Sequence, residues 1–156
     1  RLYDGGIRYI FIAIGSNELR NRLFEKAVKI GFTPVNIISR YARISSRAKL
    51  GQGICIMAGS VVNVNCVIGD NCIINSNCSI DHDCKINKSV HVAPGVTLSG
   101  CVDVGEGAQI GTGSSIIEGI SIGRWSFVGC GSAVVKNVED NVLVCGVPAR
   151  KIKEIE

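Results

Sequence analysis

The sequence predicts a mainly β protein, a parallel β-helix of hexapeptide repeats preceded by a truncated βαβ unit. Stepping by six from Ile44 reaches Leu50, Ile56, Val62, Ile68, Ile74, Ile80, Ile86, Val92, Leu98, Val104, Ile110, Ile116, Ile122, Val128 and Val134 without a slip. With Ile, Leu and Val at 46 of 156 residues, chance would produce that run with a probability on the order of 10⁻⁸. A second column, four residues behind each aliphatic, is mostly small: Ala48, Ser60, Cys66, Cys72, Cys78, Cys84, Ala108, Ser114, Ser126 and Ser132. The residue directly after the aliphatic is often Gly or Asn, as at Gly51, Asn63, Gly69 and Asn87.

Ahead of the coil, Tyr9–Ile14 reads as a buried strand and Gly15-Ser16-Asn17 as a turn and helix cap. Leu19, Leu23, Phe24, Ala27 and Val28 line one helical face, and Gly31 supplies a stop. Val35–Ile38 reads as a second strand that completes a βαβ unit. One such unit is too small to fold alone. Residues 1–42 therefore read as the back half of a nucleotide-binding α/β domain, and 43–156 as the coil domain. Residues 1–50 hold ten Lys/Arg against three Asp/Glu, a net +7, and the remainder is −3. Such a front end could attract phosphate groups, but the plainer reading of Arg20, Arg22, Lys26 and Lys29 is a solvated helix face. No stacking aromatics are set among the basic residues, which argues against a nucleic-acid partner.

In the coil, each hexad is a short strand and a turn with its aliphatic side chain inward. The small column fits the narrow corners, and Gly or Asn supplies unusual turn dihedrals. Three hexads close a triangle, so residues 18 apart stack at about 4.8 Å, and a coil from about Ile44 to Val138 is roughly 25 Å long. The eight cysteines, with no C-x-x-C pair among them, read as small corner fillers rather than a disulfide framework. Nineteen Gly and three Pro suit many tight turns. No apolar run reaches membrane-span length and no leader resembles a signal peptide, so no membrane insertion is expected and the working address is the cytoplasm.

Two histidines are present, His82 and His91. His82 lies between Asp81 and Asp83. A carboxylate that accepts one ring N–H fixes the tautomer and raises the basicity of the other nitrogen, as a general base needs. An exposed turn histidine among solvated acids accounts for the spacing equally well, and both readings stand on spacing alone.

Phe11–Ile14 with Gly15-Ser16-Asn17-Glu18, the Asp81-His82-Asp83 core, and the tail Gly146-Val147-Pro148-Ala149-Arg150 together resemble the bacterial sugar acetyltransferases. That group contains the sialic acid O-acetyltransferases (NeuD-like) and the UDP-4-amino-sugar N-acetyltransferases (PglD-like), and the sequence is most similar to the latter. The resemblance implies a left-handed coil and a homotrimer with acetyl-CoA in the groove between adjacent prisms. It also implies transfer to a sugar amine, or alternatively O-acetylation, with no metal. His82 matches the general base and Asp83 the acid that polarises it, a role Asp81 could share. His91 matches a contact to the thioester end of acetyl-CoA, Thr112 and Cys130 positions further along the CoA groove, and Gly15 a position near the uridine. The strand and Gly-rich loop that cradle the diphosphate in that group are not found before Arg1. Lys136, Arg150, Lys151 and Lys153 are candidates for the CoA phosphates, or else solvated tail charges.

An acetyl-cysteine route is disfavoured because four thiols point inward, with Cys130 the only one expected near the site. A β-helix carbonic anhydrase needs three histidines and this chain has two. An ice-binding coil would show threonine ladders, and there are three Thr in all. A non-catalytic scaffold remains as the other class, with no use for Asp81-His82-Asp83.

Overall fold

The computed structural model describes residues 2–155, so the outer limits of the two expected units, Arg1 and Glu156, lie outside the described residues. From Ile37 onward the chain winds as a left-handed parallel β-helix of about six turns. Its two-residue strands stack in three sheets. The first face runs from Ile37–Ile38 through Cys55–Ile56, Ile73–Ile74, His91–Val92, Gln109–Ile110 and Phe127–Val128 to Val142–Gly146. The second face runs from Arg43–Ile44 to Ala133–Val134, and the third from Lys49–Leu50 to Ser121–Ile122. Register is +18 from rung to rung until the last, where Phe127–Val128 pairs with Leu143–Val144 at +16. Ile68, Ile86 and Val104 stack on the third face, as the period requires. Their side chains, with Ile56, Ile74 and Leu98, are sealed from water and supply the apolar burial that holds the coil.

The corners work differently from the sequence expectation. Left-handed φ falls three residues after the aliphatic, at Asn65, Asn71, Asn77, Asp83 and Cys101 (+58° to +60°), not directly after it. Glycine directly after the aliphatic answers a close approach instead. A Cβ on Gly69 would lie 2.8 Å from the backbone N of Lys88 in the next coil. The small column is also more than filler. Cys66 Sγ donates to Asp81 O (2.9 Å), Cys72 to Asn87 O (2.9 Å), Cys84 to Ser99 O (3.1 Å) and Ser60 Oγ to Asn75 O (2.6 Å). Each of these side chains thus donates to a corner carbonyl fifteen residues ahead. All eight cysteines are free thiols, and burial pushes Cys72 up to about 12.

The N-terminal unit is βαβ, with shifted boundaries. Strand β1 (Tyr9–Ile10) pairs in parallel with β2 (Thr33–Pro34), and helix α1 (Asn17–Ile30) connects them. The expected strand Tyr9–Ile14 is therefore paired over two residues only, and Tyr9 is exposed, because a two-stranded sheet offers it a single edge. The expected second strand, Val35–Ile38, is not the one that closes the unit. Ile37–Ile38 is already a rung of the coil, paired with Cys55–Ile56, while Thr33–Pro34 closes the βαβ unit. Ser16 Oγ accepts from Leu19 N at the start of α1, and Gly31 at φ +106° ends it.

Arg20 is not part of a solvated face. It is 1% exposed and is the largest fully buried side chain of the chain's described part. Its guanidinium donates to Asn71 O (3.0 Å), Ser89 O (2.8 Å), Ile14 O (3.1 Å) and Gly15 O (3.2 Å). Asn17 Nδ2 donates to Gly107 O and Ala108 O at 3.0 and 3.1 Å, Phe24 packs over Gly53, and Lys88 pairs with Glu25 at 2.7 Å. These contacts seat α1 along the corner between the third and first faces. The helical periodicity identified an apolar stripe; the coil surface beneath it is a column of backbone carbonyls, and a planar five-donor cation matches that column. Among the described residues no helix is long and apolar enough to cross a membrane.

Candidate active site

His82 and Asp83 sit on the corner between the second and third faces, Asp83 in the left-handed conformation. His82 Nδ1 lies 2.8 Å from Asp83 Oδ2, and the carboxylate's Oδ1 accepts from Asn65 Nδ2 at 2.9 Å, one coil back. Asp81 turns the other way, accepting from His82 N (2.8 Å) and from Asn63 Nδ2 (2.9 Å). The bond to Asp83 raises the His82 pKa above its ordinary value, with Asp81, Asp83 and Glu118 adding field; Asn65 and then His82 lower that of Asp83. Asp83 thus polarises the ring and Asp81 shapes the turn. Among the described residues Nε2 has no hydrogen-bond partner, and the pair is half open to solvent.

The ring rests on Gly100, one coil ahead. A Cβ there would come within 2.6 Å of His82 Cε1 and 2.7 Å of Nε2. Only glycine leaves the imidazole its seat. Cys101, stacked on Asp83, donates its backbone N–H to His82 O (2.9 Å), and its thiol lies beside the pair. Within one chain the thiol beside His82 is that of Cys101. Asn65, Gly100 and Cys101 are distant from the pair in sequence and adjacent to it only through the winding of the coil. Adding or subtracting 18 from 82 and 83 finds all three.

The other expected residues collect elsewhere. Thr112 and Cys130 are stacked and exposed on the corner between the first and second faces, where Gly131 N donates to Thr112 O at 2.8 Å. His91 opens a strand of the first face. Asn75 Oδ1 accepts from Ser76 N, which turns the Asn75 amide N–H₂ toward His91 Nε2 at 3.3 Å. That arrangement puts the ring proton on Nδ1, an atom that is buried without a partner. Burial, then the Arg20 cation, lowers the His91 pKa to about 4, so the ring is neutral at physiological pH. Gly15, held by Arg20, flanks the same face on its other side. In triangular cross-section the corner carrying His82 lies across the core from the first face. One chain therefore keeps the base on one side and His91, Thr112, Cys130 and Gly15 on or beside the opposite face. Lys136, Arg150 and Lys151 line a depression of about 280 Å³ at the coil's C-terminal end, and Lys153 does not. Lys151 is engaged there by Glu139 (2.8 Å) and Glu154 (2.6 Å).

Residues 65–100, the part of the coil that holds this pair, match the family profile described as bacterial transferase hexapeptide (six repeats). A histidine-to-asparagine mutant of perosamine N-acetyltransferase from Caulobacter crescentus, solved with CoA and GDP-perosamine, is 40% identical with a TM-score of 0.96, over 98% of this chain and 73% of that one. PerB from the same organism, solved with the same two molecules, is 41% identical. The chain belongs to the hexapeptide-repeat sugar acetyltransferases. A second member of that family, the acetyltransferase domain of PglB from Neisseria gonorrhoeae, is 33% identical with a TM-score of 0.93, over 97% of this chain and 76% of that one. WeeI from Acinetobacter baumannii is 29% identical with a TM-score of 0.90, over 94% and 72%. The protein is an acetyltransferase of this family, and its own geometry presents an oriented imidazole on an exposed corner.

Proposed function

We propose that the protein transfers an acetyl group from acetyl-CoA to the amine of a nucleotide-linked amino sugar by direct attack, with His82 as general base. The observation that carries this reading is the His82–Asp83 pair at 2.8 Å, in a chain 41% identical to an enzyme solved with CoA and GDP-perosamine. The amine nitrogen attacks the thioester carbonyl carbon while His82 Nε2 takes its proton. The C–S bond then breaks, and the departing CoA thiolate is reprotonated by the imidazolium. Asp83 holds the proton on Nδ1 and stabilises that cation. The acyl group passes straight to the amine, so no thiol of the chain is acetylated.

The active enzyme is a homotrimer in this reading. His82 and the face bearing His91 point away from each other, so one acetyl group meets both only when a second chain brings its corner to the first chain's face. A rotation that closes gives a ring, and a triangular prism suits three. His91, Thr112 and Cys130 then line the acetyl-CoA groove, Thr112 and Cys130 chiefly through backbone, and Gly15 borders the acceptor. Residues 1–42 serve the sugar nucleotide and 43–156 the transfer, in the cytoplasm, with no metal required for the chemistry.

Incubation with acetyl-CoA and a panel of GDP- and UDP-linked amino sugars, beside free sialic acid, with release of CoA thiol followed, tests the reading. One amino sugar should turn over, and sedimentation should give three copies per particle. Turnover of sialic acid alone, or a monomer with full activity, would overturn it.

A further inference from the structure

The coil that builds the base also builds a second constellation around it. A ring nitrogen of His82, a carboxylate oxygen of Asp83 and the Cys101 thiol all lie within 4.8 Å of one another. Their convergence follows from the backbone. Asn65, Asp83 and Cys101 occupy successive coils at the same corner position with the same left-handed φ of 58–59°, so their side chains leave the coil in parallel, one above the next. Asn65 Nδ2 reaching Asp83 Oδ1 at 2.9 Å shows that adjacent rungs of this stack touch. The ladder bond from Cys101 N to His82 O (2.9 Å) fixes the third donor's backbone to the ring's own residue.

We propose that His82, Asp83 and Cys101 form a binding site for one borderline-soft divalent cation, zinc in kind, and that its occupation silences His82. The donor set is one nitrogen, one oxygen and one sulfur. Three protein ligands with an open fourth position form the usual arrangement of an accessible zinc centre. Bonds of about 2.0–2.3 Å place tetrahedral ligand atoms roughly 3.3–3.6 Å apart. The three donors close that gap by small rotations of exposed side chains on a rigid ladder. Asn65 holds the second oxygen of Asp83, the outer-shell contact that aims a ligating carboxylate. Glu118, the next position up the stack from Gly100, makes no hydrogen bond or ion pair among the described residues and adds unneutralised negative charge. Binding replaces the thiol proton of Cys101 by the metal and releases that proton to solvent. A ring nitrogen bound to the cation can no longer take the amine's proton, so the metal acts as a brake rather than a cofactor.

The binding half of this inference stands on geometry alone; the silencing half rests on His82 as the base, and two readouts separate them. Titration of the intact protein with Co²⁺ should develop a thiolate-to-cobalt charge-transfer band in the near ultraviolet that saturates at one ion per chain. Zn²⁺ should displace it. Cys101→Ser should lose that band, keep basal turnover, and need about tenfold more Zn²⁺ or beyond for the same inhibition. Chelator should restore wild-type turnover. No saturating band, or an equal band in Cys101→Ser, would overturn the site. A band lost in Cys101→Ser, together with turnover indifferent to Zn²⁺ at saturation, would keep the site and overturn the role of His82 as base.

Discussion

Replacing Gly100 by alanine probes the seat of the proposed catalytic ring without touching His82, Asp83 or the coil. The new Cβ would stand 2.6 Å from His82 Cε1, against 3.4 Å for ordinary contact, so the imidazole must retreat by about 0.8 Å. Gly100 does not have a positive φ, so alanine fits the backbone unstrained, and the ring above it is half open to solvent and free to swing outward. The penalty therefore falls on catalysis rather than stability. A misplacement near 1 Å costs about 10²-fold in an oriented reaction, which is about 2.7 kcal/mol in the barrier. The displaced ring also loses its 2.8 Å bond to Asp83, the largest cause of its raised pKa. The acidic limb of the pH–rate profile should then move to lower pH. Steady-state turnover by thiol release, with CoA affinity by calorimetry and a thermal melt as controls, reads all of this. Full kcat/KM in a Gly100→Ala protein that melts like wild type would refute the seating of His82 on Gly100.

Further expectations concern the base and the two buried cores of polarity. His82→Ala should lose about 10²–10⁴-fold in kcat while retaining CoA in calorimetry. Asp83→Asn should lose less and shift the acidic limb to lower pH, since the carboxylate that favours imidazolium has gone. Arg20→Lys puts a point charge where a planar fork serves four carbonyls. Leaving buried acceptors short should cost about 1–3 kcal/mol, read as a lower midpoint in urea and faster proteolysis within α1. His91 has a folded pKa near 4 against 6.5 for the free side chain, so the unfolded chain binds the extra proton. Stability should therefore fall as pH drops through the window from 6.5 to about 4, and His91→Gln should flatten that slope in melts across the range.

Most of the coil was legible because a solenoid is governed by local rules. A period of six with an aliphatic at each step determines which side chain faces inward, and a triangle of hexads determines that residues 18 apart stack. The His82–Asp83 pair was legible as a pair because its members are adjacent in sequence, although spacing alone did not separate a base from a solvated turn. The βαβ unit was legible in kind and not in boundary. One more step of six back from Ile44 reaches Ile38, which is a coil rung, whereas nothing in the period marks Thr33–Pro34, the strand that closes the unit. The role of the small column as donor to corner carbonyls was hidden in the same way, because Cys, Ser and Ala are equally small and only geometry shows which carbonyl each meets. Arg20 shares its helical stripe with Phe24 and Ala27, so only its charge pointed to solvent, and it is buried because the surface it docks on is backbone oxygen rather than side chain. The sequence by itself determined the coil, its register and the chemistry available at its corners, since those follow from side-chain size and a fixed period. Tertiary structure alone decided which corner faces which. It set Gly100 under the imidazole and Cys101 beside it, and it placed His82 across the core from His91, because winding brings residues a full turn apart into contact while sending near neighbours around opposite sides of the prism.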